Sequence, residues 1–281
     1  MSGEVPIRIT KCDGYNDLNC VIIGIGDQGE NILTKIPPLS TFMGTDSAIQ
    51  DIFICDDSVF RCDECKVAWR DNIMKEIAKS DIIFSLINTD IQEDFKSACN
   101  IAKICADKNK DVFSVCVFCG NNSCKNVDVL KALYTTIIYV EDVNLLSKVC
   151  FFLTNMMRSN IVGIDFADIT AILQRVYIGY WGQFSLTSID DLPIRLLDFK
   201  TSVVDHDCAN YHQNIALIMI EAATSTRLED IDEVVTALYE FFDNVNIVWN
   251  IHFVDDIEDK YMKVSMVYGR DEDCTDVREM W

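Results

Sequence analysis

Short apolar runs, too brief for helices, recur along the first 140 residues of this chain, and each is followed by a helix-like or turn-like segment. Cys20–Gly24 is a continuous apolar run, as expected of a strand buried on both faces. Gly26–Lys35 reads as a turn entering a helix, stopped by Pro37 and Pro38. Asp51–Cys55 and Ser80–Ile87 read as the next strands, with a helix near Ile91–Asp107. Asp111–Phe118 is a further strand, then a helix near Val127–Leu133, then a strand at Thr135–Val140. Glu141–Arg158 carries apolar residues at helical spacing. Strands alternating with helices predict a parallel sheet flanked by helices.

The pattern changes after Asp168. Ile169–Arg175 is helical, and Asn214–Ile220, Val245–His252 and Tyr261–Val267 read as strands, with a helix at Leu228–Phe242. This predicts a second, smaller α/β domain. The expected division is residues 1–158 with the start of a central helix, residues 159–270, and a short acidic tail at 271–281. The length of 281 residues suits two modest domains.

Composition restricts the partners. A net charge of −21 lacks the basic footprint that nucleic acid requires. No run approaches the ~18 apolar residues of a membrane span, so no direct membrane insertion is expected. Met1–Pro6 has no basic region followed by an apolar one, so no secretory leader is expected, and a cytoplasmic location follows. The 13 cysteines, scattered through apolar segments, read as reduced thiols.

Three patterns are candidates for chemistry. Gly24-Ile25-Gly26-Asp27-Gln28-Gly29 fits G-x-G-x-x-G between a strand and a helix, where glycines let backbone approach a phosphate. Asp27 and Glu30 oppose an anion there, at about 3 kcal/mol per like-charge pair at ~6 Å and an effective dielectric near ~20. The same run could serve a dinucleotide, with Asp56 as the acid after the second strand, or could be a structural turn with no ligand. Asp165 and Asp168 could polarise a water or bind a cation, and either could instead cap the following helix. Cys62/Cys65 and Cys116/Cys119 are both C-x-x-C, with Cys124 close behind. Cys116 falls inside a strand-like run, so no stoichiometric zinc, and no metal site, is expected. His206, His212 and His252 form no ligand spacing.

From Val21 to Gly269 the order of segments resembles FtsZ and tubulin. The residues carrying the resemblance are Gly24, Gly26, Gly29 and Asn31 after the first strand, the run Ile137–Leu146, and above all Asp165-Phe166-Ala167-Asp168. The resemblance implies a Rossmann-like nucleotide-binding domain, a central helix and a C-terminal domain. It implies GTP or GDP, with magnesium, on Gly24, Gly26, Gly29 and Asn31. It also implies head-to-tail cytoskeletal filaments, as in cell division, in which Asp165 and Asp168 act catalytically on a neighbour's nucleotide. This chain departs from that pattern. Where the family has a Gly/Thr-rich loop, it reads Asn88-Thr89-Asp90-Ile91-Gln92-Glu93-Asp94, without glycine and with three acids. Gly163 stands where the family has Asn. The expectation is weak or no GTP hydrolysis, with self or an active relative as partner. The alternatives are a Rossmann-type dinucleotide enzyme and a ligand-free interaction module.

Overall fold

The computed structural model describes residues 20–25, 52–55, 77–78, 80–108, 111–156, 166–206, 214–242, 245–254 and 262–271. The chain forms two compact units, Met1–Thr154 and Asn155–Trp281.

The first unit is built on five strands: β1 (Cys20–Ile25), β2 (Ile52–Cys55), β3 (Ile82–Asn88), β4 (Phe113–Cys119) and β5 (Thr136–Tyr139). They lie in the order β2-β1-β3-β4-β5, and every pairing is parallel. Parallel strands need crossovers, and helices α1 (Gln92–Lys108) and α2 (Cys124–Lys131) supply two of them. The apolar runs are explained by burial: Ile83, Phe84, Leu86 and Ile87 of β3 and Val115, Cys116, Val117 and Phe118 of β4 are all fully buried. Helix α1 contributes Ala98, Ile101, Ala102 and Cys105, which recur at helical spacing and are buried. Its backbone is tied to the sheet layer by Tyr134, whose hydroxyl donates to the Ala98 carbonyl at 2.9 Å. A single 3-10 turn at Val143–Leu145 leads into α3 (Leu146–Met156).

In the second unit, α4 (Phe166–Gln174) runs into β6 (Val176–Leu186), followed by α5 (Leu192–His206), β7 (Asn214–Ala223), α6 (Leu228–Phe241), β8 (Val245–Val254) and β9 (Met262–Asp271). The order is β6-β9-β7-β8, with β9 antiparallel to both neighbours and β7 parallel to β8. The expected strand-helix-strand-strand is present, but β6 and α5 precede it and were not read from the sequence. Gly179 and Gly182 interrupt the alternation of β6 and hide it from a period-two reading. Gly182 is needed for packing. A Cβ there would lie 2.3 Å from Cε2 of Phe199, a residue of α5. Phe199 in turn meets Tyr268 edge-on at 6.3 Å, and Phe242 stacks on Tyr268 at 5.3 Å. The buried carboxylate of Glu221 pairs with Lys263, its register partner across β7 and β9.

The Gly182–Phe199 contact gives a test. Gly182→Ala should destabilise the protein by about 2 kcal/mol through overpacking, and the double variant with Phe199→Leu should recover part of that loss. Urea denaturation of the three proteins reads it directly.

Candidate functional site

In open parallel sheets, ligands sit beyond the carboxyl ends of the strands, where the strand order reverses. Here that point lies between β1 and β3, because the chain goes from β1 outward to β2 and then returns to the other side of β1. Gly24 is buried in β1, in register with Ile54 of β2 and Leu86 of β3. Gly26, Gly29 and Asn31 lie outside the described residues, as do Asp27 and Glu30. The described part of the crevice is therefore the loop after β3 and its neighbours.

That loop bonds to its own protein. The Thr89 amide donates to the Cys119 carbonyl at 2.9 Å. The Asp90 amide donates to Oδ1 of Asn88 at 3.0 Å. The Ile91 amide donates to the Asn88 carbonyl at 3.3 Å. Three successive amides of the loop are thus directed at internal acceptors. The Thr89 hydroxyl reinforces the arrangement with contacts of 2.8 Å to the carbonyls of both Cys119 and Asn121. Asn88 is an Asx turn, in which a short side chain satisfies an amide two residues on. Gly120 completes it. Its φ is +87°, and a Cβ there would lie 2.6 Å from Asn88 Oδ1 and 2.8 Å from the Asp90 carboxylate.

The adjoining loops use the same device. Asn121 Oδ1 accepts from the Ser123 amide at 2.9 Å, and Asp142 Oδ1 accepts from the amide and side chain of Asn144 at 2.7 Å each. The electrostatics are acidic. Burial pushes the Cys119 thiol up to about 11, and the Asp90 and Asp142 carboxylates add to the effect. Burial also raises Tyr139, with help from Glu141, Cys119 and Asp90. In the described half of the crevice the Thr89, Asp90 and Ile91 amides have internal partners and the nearby carboxylates make the field negative, which opposes a phosphate there. Asn88, Thr89, Gly120, Asn121 and Asp142 organise it. The Asn-Thr-Asp and Gly-Asn-Asn-Ser turn chemistry was the sequence signal for them.

Asp168 occupies the first turn of α4 and is exposed, while Ile169 and Leu173 bury the opposite stripe of that helix. Thr170 bonds back to Phe166 within the same turn. Asp165 and Gly163 lie outside the described residues. The Cys116 and Cys119 side chains are both buried, the first in mid-strand and the second with its thiol toward the Ile87 carbonyl. Cys62 and Cys65 lie outside the described residues. Among the described residues, no group of three or more His, Cys, Asp or Glu is placed to hold a metal ion. Among those same residues, no helix is long and apolar enough to cross a membrane.

No family model matches the sequence, and none of the curated proteins does. Solved structures do match. An FtsZ dimer from M. jannaschii, solved empty, is 16% identical with a TM-score of 0.62, covering 91% of this chain and 89% of its own. CetZ from Methanosaeta thermophila is 14% identical with a TM-score of 0.64, covering 90% and 86%. TubZ of Bacillus thuringiensis serovar israelensis, in GDP-form protofilaments, is 10% identical with a TM-score of 0.53, covering 90% and 85%. The chain has an FtsZ/tubulin-like α/β fold.

Gly120 tests the loop architecture. Gly120→Ala should cost about 2 kcal/mol, from the left-handed backbone and from displacement of Asn88 and Asp90. A drop in thermal midpoint, together with faster amide exchange at Thr89 and Asp90, is the expected result.

Proposed function

We propose that this chain is a filament-forming protein of the cytoskeletal FtsZ/tubulin type whose own GTP site is weak or closed. The observation that carries this reading is the internal bonding of the Thr89, Asp90 and Ile91 amides. A phosphate would have to displace an Asn88 side chain and two carbonyls while facing Asp90. Displacing satisfied bonds gains little, because each exchange trades one hydrogen bond for another. Gly24, Gly26, Gly29 and Asn31 would be the residues of the opposite wall, and Asp27 and Glu30 place further negative charge in their loop.

On this reading the chain contributes chiefly through its other end. Asp165 and Asp168 would meet the nucleotide held by the next subunit, which is a second copy or a relative with an intact glycine loop. Support comes from the exposed position of Asp168 and from the likeness to an FtsZ dimer and to TubZ protofilaments. Contacts between unlike faces build open filaments rather than closed dimers. The net charge of −21 opposes such stacking, so assembly should require salt or divalent cations.

Two experiments test the parts separately. Titrating GTP into the purified protein in magnesium buffer should give no binding heat in the micromolar range, and chromatography of the denatured protein should release no stoichiometric nucleotide. Micromolar affinity would overturn the closed site. For assembly, sedimentation and electron microscopy across a salt series should show filaments that Gly163→Trp abolishes. A chain that stays monomeric throughout, alone and with an active FtsZ-like protein, would leave the ligand-free interaction module as the better account.

A further inference from the structure

Helices α5 and α6 form one layer on the second unit's sheet. Phe199 of α5 and Phe242, just past α6, both meet Tyr268 of β9, and Lys200 of α5 lies 5.4 Å over the Phe241 ring of α6. The two helices are therefore neighbours on the same face of that sheet. Among the described residues, five large apolar side chains are exposed, and four of them belong to this layer. Ile194 is 64% and Leu197 59% exposed on α5, and Leu228 is 71% and Tyr239 50% exposed on α6. Scattered exposed apolar residues are ordinary, but four on two adjoining helices make a surface that a partner can cover.

The same layer carries the charge that selects what covers it. Helix α6 contains no lysine or arginine. Its Glu229, Asp232, Glu233 and Glu240 are all exposed. Arg227, at the N-cap, pairs with Glu229 at 3.3 Å. Asp232, Glu233 and Glu240 make no ion pair with a described residue. Glu229 and Asp230 in the first turn suit the helix dipole, but Glu240 in the last turn opposes it, and Glu229 and Glu233 repel at i, i+4 spacing. This acidity costs the isolated helix stability, and a cationic partner relieves it. A second copy sets the same acids against each other, and the net charge of −21 adds to that repulsion. Nucleic acid and anionic lipid are disfavoured for the same reason.

We infer that the outer surface of α5 and α6 docks a basic amphipathic helix of a partner protein. The apolar stripe of that helix covers the exposed apolar side chains, and its lysines or arginines face Asp232, Glu233 and Glu240. Leu228 and Tyr239 are about three turns, ~16 Å, apart on α6, so the partner helix spans at least that length. The apolar anchors supply affinity, and the acids set the partner's charge and speed its approach. The inference uses no residue of the crevice, nor Asp165 or Asp168, and so stands or falls apart from the nucleotide and filament reading.

The test uses the full chain and a labelled synthetic peptide of leucine and lysine, patterned as an amphipathic helix of about four turns, followed by fluorescence anisotropy. Saturable binding that weakens with salt is expected. A peptide of the same composition with its leucines spread around the helix should bind at least tenfold more weakly. Equal binding of that peptide would show mere charge attraction and overturn the docking surface, and no binding of the patterned peptide would overturn it outright. On the protein side, Leu197→Ser with Tyr239→Ser should lose at least tenfold in affinity. Glu233→Lys with Glu240→Lys should lose at least tenfold more than Glu93→Lys with Asp107→Lys, which makes the same change of charge at exposed positions on α1. Wild-type affinity in either α5–α6 variant, or an equal loss in the α1 variant, would refute the site. All of these positions are exposed, so the folds should hold by circular dichroism. Should the lysine pair on α6 unfold, Glu233→Gln with Glu240→Gln takes its place with the same expected direction. Dimers of the chain alone that Leu197→Ser with Tyr239→Ser abolishes would overturn the basic partner in favour of a second copy.

Discussion

A parallel sheet buried on both faces places chemistry only at its ends. With β3 and β4 fully enclosed, no side chain in mid-strand reaches solvent, and the loops at the carboxyl edge carry whatever the first unit does. The shape of the loop after β3 therefore decides the character of the crevice. In this chain that shape is set by an Asn88 side chain, a Thr89 hydroxyl and a glycine at φ +87°, Gly120, which the pairing of β3 with β4 brings beside them.

The second unit follows a different logic. Its sheet is mixed, and aromatic contacts supplement the aliphatic residues that its helices bury, among them Leu192 and Leu196 of α5 and Ile231, Val234, Val235 and Leu238 of α6. Phe199 can lie against β6 only because residue 182 has no side chain, and Tyr268 receives both Phe199 and Phe242. A cation-π contact of 5.4 Å between Lys200 and Phe241 joins α5 to α6. Such contacts hold the helices in place while β8 remains at the margin.

Much of the fold was legible in the sequence because double-sided burial leaves a plain signature. Cys20–Gly24 and Ser80–Ile87 announce strands by unbroken apolarity, and α6 announces itself by the spacing of Ile231, Val234, Val235 and Leu238. The strand β6 was not legible, since Gly179 and Gly182 break the alternation that marks a strand, and Gly182 does so to admit Phe199 of α5. The FtsZ/tubulin-like likeness rested on Asp165–Asp168 and on segment order, and the solved structures carry it for the fold. The acidic loop after β3 could be read as hostile to phosphate from charge alone. That its amides are turned inward was legible only in part: the Asp90 and Ile91 amides find acceptors on Asn88, a local turn signal, but the Thr89 amide bonds Cys119, which lies thirty residues away in sequence.

The self-contained loop has a temporal consequence. A nucleotide can drive a conformational cycle only where it stabilises one of two states of some element more than the other. The Asn88–Ile91 turn is complete without a γ-phosphate, so its presence or loss would have little to tip. On the proposed reading, polymers of this chain would then lack the internal clock that hydrolysis provides, and their lifetime would follow the concentration of subunits and partners.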